Sequence, residues 1–409
     1  MKVLQINAVY GYGSTGVIAK EILDEVISAG GEAYAAFMKH RHTTDISSLS
    51  GYIEIGNKAD QITHTIQSRF LGEQGFYSNK ATRKMLSEID EIKPDIIHLH
   101  NLHNNYMNIE LLFNYVREKK IPTVITLHDA WFFTGKCCHF LYDGCNRWKE
   151  KCGECPRQRK EFVSLFFDKS EKDLIRKRKL IGENPYVYVV GCSNWLTSCA
   201  KASILRSRVI CTINNGIDLS IFSPKESCLR EQLGLEKKKV ILGMANKWLS
   251  QDNENTYEYI TANMDKDCVL VLLGCNKGQI ESNKKKNVIT IGFINDRTEL
   301  ACYYSIADVF ANVTKVDSFP TVNLEAIACG TPVVTYNSGG SAETVDSDTG
   351  AVVDYGDYIS LLQQLNRILN DGKLKYRDRC TERARKFYDK KEKFQEYLGL
   401  YKEILENNI

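Results

Sequence analysis

The stretch from Asp317 to Gly340 reads D-S-F-P-T-V-N-L-E-A-I-A-C-G-T-P-V-V-T-Y-N-S-G-G and decides the fold class. An apolar run over residues 309–314 predicts a strand that enters it. Residues 321–329 then predict a short apolar helix, which Gly330 can end in a left-handed cap. The apolar run 332–336 predicts a second buried strand. Strand, helix and strand in this order form a unit of an α/β fold.

A helix N-terminus and two carboxylates give this stretch its chemistry. Pro320 fixes the backbone before the helix and leaves the first N–H groups, at residues 321–323, free to bind an anion. Asp317 precedes the helix, and Glu325 lies inside it. The pair Gly339-Gly340 adds a loop where backbone can approach a ligand closely. The pattern indicates a nucleotide-sugar pocket, although a buried βαβ unit with Glu325 as an exposed charge would also fit these residues.

The composition is that of an ordinary globular protein with two domains. The chain has 409 residues, more than a single core usually supports. Its net charge of +3 is too small to indicate nucleic-acid binding. No run of about 18 apolar residues predicts a membrane span, and the start of the chain predicts a strand rather than a signal peptide. The fourteen cysteines, mostly in apolar segments, are typical of a cytoplasmic protein.

The N-terminal half contains three further candidate features. The loop Gly11–Gly16, G-Y-G-S-T-G, separates a predicted strand from a helical pattern and can hold a phosphate. Two later apolar runs end in polar residues, as strands of a parallel sheet do at a ligand site. His98 lies inside the first run and is predicted to be a hydrogen-bonded core histidine. His128, at the end of the second, is the better site candidate.

Residues 319–334, F-P-T-V-N-L-E-A-I-A-C-G-T-P-V-V, resemble the donor-site signature of retaining glycosyltransferases of family 4. The G-S-T-G loop, T-L-H-D at 126–129 and the connector N-G-I-D-x-x-x-F-x-P are similar to elements of the same family. The resemblance implies a GT-B fold, an α/β architecture of two Rossmann-like domains facing an interdomain cleft. We expect an acceptor-side domain over 1–205 with a Cys-rich insertion at 134–156, a donor-binding domain over 206–390, and a helix over 391–409 that crosses back.

The resemblance also implies a function. It is transfer of a sugar, with retention, from a UDP- or GDP-sugar to a glycan or lipid-linked acceptor, as in bacterial capsule, exopolysaccharide or lipopolysaccharide synthesis. His128 would contact the transferred sugar, Asp317 the sugar hydroxyls, and Glu325 the ribose hydroxyls. Catalysis would need no metal. The donor would be held by three groups of residues: the glycine loop, a short segment in the middle of the chain, and the start of the helix. These residues are Gly13, Ser14, Thr15, Gly16, Asn246, Lys247, Phe319, Pro320, Thr321, Val322, Asn323 and Leu324.

The chain departs from the family pattern at two places. The family has Glu-x7-Glu where this chain has Asp317-x7-Glu325. The family also carries an Arg/Lys pair for the donor diphosphate, and counting from Trp248 puts Gln251 and Asp252 in those positions. A carboxylate near a diphosphate is repulsive. We therefore expect Lys247, or the helix at Thr321, to take over the role of the missing cations.

The insertion predicts a metal site. Cys138, Cys145, Cys152 and Cys155 lie close together in sequence and end in C-x2-C, a pattern that indicates a structural zinc ion in a reducing compartment. Cys137 or His139 can replace one ligand, and two disulfides or free thiols are alternatives. W-F-F-T-G-x-C-x-H followed by C-x2-C-P also resembles an element of some bacterial polysaccharide transferases, where it implies a role on the acceptor side.

Three alternatives remain at this stage. The basic strand end Lys39-His40-Arg41-His42 after the glycine loop would suit an NAD(P) oxidoreductase. Asp252 and Asp317 would suit a catalytically weak GT-B scaffold or binding subunit, and a sugar-nucleotide epimerase is a third GT-B possibility. Residues 157–179 mix cations with Val163, Leu165, Phe166 and Phe167, which fits either a solvated helix face or peripheral contact with the anionic inner face of the cytoplasmic membrane.

Overall fold

The structure is a computed structural model that describes residues 1–38, 45–283 and 285–407. The basic strand end at 39–42 therefore lies outside the described residues. The chain divides into two compact units, one of Met1–Asn214 with Lys391–Ile409 and one of Asn215–Lys390. Each unit is built around its own parallel sheet.

The first unit contains a seven-stranded sheet in the order β3-β2-β1-β4-β5-β6-β7. Its strands are β1 Lys2–Ile6, β2 Glu32–Phe37, β3 Gly51–Glu54, β4 Ile96–Leu99, β5 Thr123–Leu127, β6 Val187–Gly191 and β7 Val209–Thr212. Its α-helices before the second unit are α1 Gly13–Ser28, α2 Lys58–Leu71, α3 Asn79–Ile92, α4 Ile109–Lys119, α5 Ser170–Lys177 and α6 Asn194–Lys201. A helix lies between most consecutive strands, which is the usual crossover connection of parallel pairing.

The second unit contains a six-stranded sheet in the order β10-β9-β8-β11-β12-β13. Its strands are β8 Lys239–Met244, β9 Cys268–Leu273, β10 Val288–Thr290, β11 Val309–Asn312, β12 Val333–Asn337 and β13 Gly350–Asp354. Its helices are α7 Leu229–Gln232, α8 Ala245–Trp248, α9 Glu254–Asn263, α10 Lys277–Ser282, α11 Arg297–Ile306, α12 Thr321–Ala328, α13 Tyr358–Asp371 and α14 Leu374–Phe387.

Both sheets reverse their strand order at the first strand of the unit. β1 pairs with β2 on one side and β4 on the other, and β8 pairs with β9 and β11 in the same way. In open α/β sheets, ligands bind beyond the carboxyl ends of the strands at this reversal. The two Rossmann-like sheets confirm the predicted fold class, and the reversal points mark where site residues are to be sought.

The last helix, α15 Lys390–Asn407, contributes to the core of the first unit. Phe394, Tyr397 and Tyr401 belong to one buried cluster with Val3 and Ile22. Tyr401 also donates from its hydroxyl to His98, and the two atoms are 2.6 Å apart. Among the described helices, none is long and apolar enough to cross a membrane.

The division between the units falls later than the boundary expected after residue 205. Residues 206–214 belong to the first unit because β7 pairs with β6 and so extends the first sheet. The expected domains 1–205 and 206–390 are therefore corrected to 1–214 and 215–390, with 391–409 joined to the first unit. The sequence alone could not assign β7 to a sheet, because the residues of a short strand do not indicate which strand it pairs with.

Candidate active site

The two ends of the stretch 317–340 meet in the second unit. The N–H of Gly340 donates to the carbonyl oxygen of Asp317 at 2.9 Å, so the loop after β12 closes against the loop before α12. Gly339 supports this closure with a φ of +62°, a left-handed conformation that favours glycine. The carboxylate of Asp317 accepts from the N–H of Phe319 at 3.2 Å. The predicted βαβ unit is present with Asp317 fixed at its turn.

The N-terminus of α12 differs from the prediction at one position. The N–H of Asn323 already donates to Pro320 O at 3.1 Å, because the first turn of the helix is tight. The Asn323 side chain is also used, accepting from Asn312 and donating to Thr344 at 2.9 Å each. Asn323 therefore holds the helix in place, and the N–H groups of Thr321 and Val322 are the ones left for an anion.

The other predicted side chains of this segment serve the core. Leu324 is fully buried, and the Phe319 ring is buried edge-on against Tyr388 at 6.0 Å between centroids. Pro320 is the residue before the helix, with φ −69°. At these predicted donor-binding positions, the fold therefore leaves backbone atoms, rather than side chains, to contact a ligand.

Glu325 is a half-buried carboxylate held by one neighbour. The hydroxyl of Tyr304 donates to Glu325 Oε2 at 2.9 Å. Burial raises the pKa of Glu325, while the hydrogen bond from Tyr304 and the charge of Arg297 oppose that rise. The second oxygen, Oε1, has no hydrogen-bond partner among the described residues. One oxygen is thus fixed, and the other can accept hydrogen bonds from a ligand.

Asp252, the acidic residue that departs from the family pattern, forms an ion pair with a lysine. Asp252 Oδ1 lies 2.8 Å from Lys315 Nζ, and the ion pair is partly exposed. Lys315 comes from the loop that carries Asp317, two residues before it. Sequence reasoning missed this lysine because the two partners are far apart in the chain. The pair lowers the repulsion that Asp252 would otherwise exert on an anion.

A buried amide joins the two loops of the second unit that carry these charges. Asn253 Nδ2 donates to Lys247 O at 3.0 Å and to Val313 O at 2.7 Å, so it connects the loop after β8 with the loop after β11. Trp248 Nε1 reinforces this by donating to Ala311 O at 2.9 Å. Asn246 is exposed on α8, and the ammonium of Lys247 has no partner among the described residues. Lys247 is therefore placed as an unpaired cation at the carboxyl end of β8.

In the first unit, the predicted glycine loop forms the first turn of α1. Helix α1 begins at Gly13, whose φ is +63° and whose missing Cβ faces open space. Ser14 is exposed and Thr15 half-buried, whereas Gly16 is packed so closely that a Cβ would lie 3.0 Å from the Val9 side chain. The N–H groups of this first turn are therefore accessible at a helix N-terminus, where anions bind.

His128 is one member of a chain of buried polar groups. Gln5 Oε1 accepts from His100 Nε2 at 3.0 Å, which leaves His100 Nδ1 as an acceptor. His128 Nε2 then donates to His100 Nδ1 at 3.0 Å. Burial lowers the pKa of His128 to about 4. His128 is a neutral imidazole whose Nδ1 carries no proton.

His98 behaves as predicted for a core histidine. It is fully buried and bonds Tyr401 and Thr126, the latter at 2.8 Å from Nε2.

Next to His128, Asp129 forms an ion pair with His103 at 2.9 Å between Oδ2 and Nε2. Although burial opposes it, the Asp129 charge raises the pKa of His103. His103 and Asp129 fix the turn after β5, since Asp129 Oδ1 also accepts from the N–H of Trp131 at 2.8 Å.

The thiols of the Cys-rich insertion lie near several acidic and histidine side chains. All fourteen cysteines are free thiols in this structure. Cys138 lies with His103 and Asp129, and with His139 and Glu161, each set within 4.8 Å. Within the described ranges, the predicted set Cys138, Cys145, Cys152 and Cys155 does not form such a group.

The neighbours of Cys137 and Cys138 overlap. The Cys137 thiol interacts with Cys155, Glu161 and Cys152, and the Cys138 thiol interacts with Asp129, Glu161 and Cys137. Cys152 interacts in turn with Cys145 and Cys155 and accepts from the N–H of Gly135 at 3.4 Å. Among the described residues, Cys137 forms no close group with Cys145, Cys152 and Cys155 either.

Known proteins share both the sequence of the second unit and the fold of the chain. The profile of the family described as glycosyl transferases group 1 matches residues 229–387. A protein of Escherichia coli strain K12 named as a colanic acid biosynthesis glycosyl transferase, WcaC, is 23% identical over 76% of this chain and 77% of its own.

Two solved structures cover nearly the whole chain. A sucrose-phosphate synthase from Thermosynechococcus elongatus superposes with a TM-score of 0.70 at 16% identity, covering 98% of each chain. Anabaena HepE in complex with UDP-glucose has a TM-score of 0.66 at 16% identity, covering 98% of this chain and 99% of its own. The group 1 match favours a glycosyltransferase over the oxidoreductase alternative. The chain has the GT-B fold, and its residues 229–387 match the family described as glycosyl transferases group 1.

Proposed function

We propose that the chain is a retaining glycosyltransferase that moves a sugar from a UDP- or GDP-sugar to a glycan or lipid-linked acceptor during synthesis of a bacterial surface polysaccharide. Similarity to WcaC, a name that refers to colanic acid, supports the polysaccharide. Similarity in fold to HepE, which was solved with UDP-glucose, supports a nucleotide-sugar donor.

The proposal rests on the hydrogen bonding of the Glu325 carboxylate. Its Oε2 is fixed by Tyr304, and its Oε1 lacks a partner among the described residues. A carboxylate held in this way accepts hydrogen bonds from two adjacent hydroxyls, such as those of a ribose, without losing side-chain entropy on binding. We assign ribose binding to Glu325 and binding of the sugar hydroxyls to Asp317.

The diphosphate is assigned to helix N-termini and lysines. In the second unit, we assign it to the N–H groups of Thr321 and Val322, the ammonium of Lys247 and, from within its ion pair with Asp252, the ammonium of Lys315. In the first unit, the first turn of α1 over Gly13–Gly16 offers further N–H groups. Negative charge develops on the leaving diphosphate as the glycosyl bond breaks, and preorganised donors lower the free energy of that transition state. No catalytic metal is needed in this scheme.

His128 is assigned to the transferred sugar. Its unprotonated Nδ1 can accept a hydrogen bond from a sugar hydroxyl, and its low pKa keeps it neutral at pH 7. A neutral imidazole adds no positive charge beside an oxocarbenium-like transition state, which a cation would destabilise.

The test is a calorimetric screen of UDP- and GDP-sugars, followed by donor-hydrolysis assays and NMR of the anomeric proton of the product. We expect one nucleotide class to bind in the micromolar range and the product to keep the donor's configuration. Binding of NADPH in place of nucleotide sugars, or an inverted product, would overturn the proposal.

A catalytically weak binding subunit is the second candidate. Asp252 in the place of a cation and the short Asp317 in the place of a glutamate favour it. The same screen separates the two functions, because a binding subunit retains the nucleotide sugar without hydrolysing or transferring it.

A further inference from the structure

Helix α2 is oriented with its apolar residues outward. Ile62, Ile66 and Phe70 follow one another at intervals of four residues and therefore share one face of the helix. These three side chains are 50%, 52% and 48% exposed. The buried residues of α2 are instead His64 and Ser68. A helix on a globular core normally has the reverse arrangement.

The polar face of α2 is fixed to the first unit by hydrogen bonds. His64 Nδ1 lies 2.8 Å from Ser78 Oγ, and Asn105 Nδ2 donates to Thr65 Oγ1 at 3.1 Å. Gln61 Nε2 donates to Asn104 O at 3.3 Å. These bonds, with the capping box of Asn57, hold the helix so that it cannot rotate its apolar face inward without leaving polar groups unpaired.

A loop of the segment 157–179 extends the same apolar face. The N–H of Leu165 donates to Arg69 O at 2.8 Å, which joins the loop to the end of α2. Phe166 then contacts Phe70, with ring centroids 5.8 Å apart. We call the combined set the α2 apolar surface; its members are 40% to 65% exposed and consist of Ile62, Ile66, Phe70, Leu71, Leu165, Phe166 and Phe167.

Cations lie beside this surface, and the nearby acids have partners. Arg69 is exposed between Ile66 and Phe70, and Lys169 Nζ lies 5.3 Å from the centre of the Phe167 ring. Glu73 is neutralised by Lys172 and Arg176. Asp168 accepts from the N–H groups of Cys155 and Ser170. The exposed charge among the apolar side chains is therefore that of Arg69, while the half-buried Asp168 carboxylate is directed to backbone N–H groups.

We propose that the α2 apolar surface docks the first unit onto an anionic lipid bilayer. Helix α2 would lie in the plane of the interface with Ile62, Ile66 and Phe70 among the acyl chains, while Arg69 and Lys169 bind lipid phosphates. Apolar side chains on one face of a helix, aromatic rings and flanking cations are the features of an interfacial membrane helix. The proposal goes beyond sugar transfer, since docking requires neither donor nor acceptor.

Charge favours a bilayer over a second copy of the chain. Two copies joined face to face would bring Arg69 and Lys169 of each molecule towards those of the other, and like charges repel. A bilayer of anionic lipid offers the opposite charge at the depth where these cations lie.

The experiment is flotation of the full chain with vesicles of phosphatidylcholine alone and with about 30% phosphatidylglycerol, at low and high salt. The docking variant is Ile66→Ser with Phe166→Ser. The matched control is Ile359→Ser with Phe293→Ser, two equally exposed apolar residues of the second unit. A charge variant, Arg69→Glu with Lys169→Glu, tests the cations.

We expect the wild type and the control to float with the anionic vesicles, and the docking and charge variants to bind them about tenfold more weakly or worse. Circular dichroism and nucleotide-sugar affinity should be the same in all four proteins, so failure of docking is distinguishable from failure of the proposed function. Absence of wild-type binding to anionic vesicles at low salt would overturn the proposal. So would a dimer, seen by analytical ultracentrifugation, that the docking variant dissociates.

Discussion

His128 Nε2 lies 3.0 Å from His100 Nδ1, and His100 is in turn held by Gln5. The side chain predicted to contact the sugar is thus oriented by a residue at the end of the neighbouring strand β4. Three polar groups from β1, the end of β4 and the end of β5 determine which nitrogen of His128 carries the proton.

Replacing His100 by alanine should lower the transfer rate about tenfold or more, because His128 loses the acceptor that fixes its tautomer. Gln5→Met should have a similar effect. Since both act through one chain of hydrogen bonds, the double variant should lose little more than either single one. Steady-state kinetics on the three variants checks this. Additive losses, or lower affinity for the nucleotide alone, would show that His100 does not act through His128.

Glu325→Gln should weaken nucleotide binding by about 1–3 kcal/mol, because a buried acceptor for two hydroxyls loses its charge. Asp317→Ala should abolish transfer while leaving the nucleotide bound. Calorimetry with the free nucleoside diphosphate, compared with transfer assays, separates the two effects. Wild-type affinity and turnover in both variants would refute the assignment of this site.

Tyr304→Phe should shift the pH dependence of nucleotide binding. Burial raises the pKa of Glu325, and the Tyr304 hydroxyl opposes that rise. Without the hydroxyl, the carboxyl protonates at a higher pH, so binding should begin to weaken at a higher pH as the solution is acidified. Titrations of affinity against pH for both proteins test this. An unchanged midpoint would mean that ionised Glu325 is not the ligand group.

Lys315→Met should weaken binding of nucleoside diphosphates about fivefold to tenfold, with a smaller effect on the monophosphate. Asp252→Asn should have the opposite sign, because it frees Lys315 from its ion pair and removes a negative charge. Lys285→Met, which breaks a comparable partly exposed ion pair with Glu258, is the matched control. Equal effects of Lys315→Met and Lys285→Met would contradict a role for Lys315 in donor binding.

The first unit should lose stability in mild acid. Burial lowers the pKa of His64 and His128 to about 4 and of His98 to about 3. The unfolded chain takes up these protons below about pH 6.5, so stability falls from there towards pH 4, by about 1 kcal/mol per histidine at pH 5.5. Urea unfolding, followed by tryptophan fluorescence at pH 7 and 5.5, measures this. His64→Gln should reduce the loss, and a flat profile would contradict it.

One zinc ion per chain remains the prediction for the Cys-rich insertion, with Cys138, Cys145, Cys152 and Cys155 as ligands and Cys137 or His139 as a replacement for one of them. Metal analysis of protein purified without added chelator checks it. Cys152→Ser should release the metal and lower the melting temperature. Protein that holds no zinc, and whose Cys152→Ser variant melts at the wild-type temperature, would contradict the prediction.

The sequence was sufficient for the elements and for the fold class because both depend on local order. Alternating apolar strands and helices predict parallel sheets, and the run Phe319–Val334 carries the donor-site resemblance in consecutive residues. Strand β11, helix α12 and strand β12 lie close to the bounds predicted for the stretch 309–336, because their apolar patterns lie within a single segment. Glu325, Asp317 and His128 were predicted as site residues from consecutive residues in the same way, and their roles stay predictions.

Only the tertiary structure decided what lies next to each of these residues. Lys315 meets Asp252, Gln5 and His100 orient His128, and Tyr304 holds Glu325. Helix α2 has an amphipathic pattern in either orientation, and only its hydrogen bonds to Ser78 and Asn105 show that the apolar face is the outer one. Each of these relationships joins residues from different segments, and no local periodicity or propensity encodes such a pairing. The pairings follow from packing the strands in an order that differs from their order in the chain.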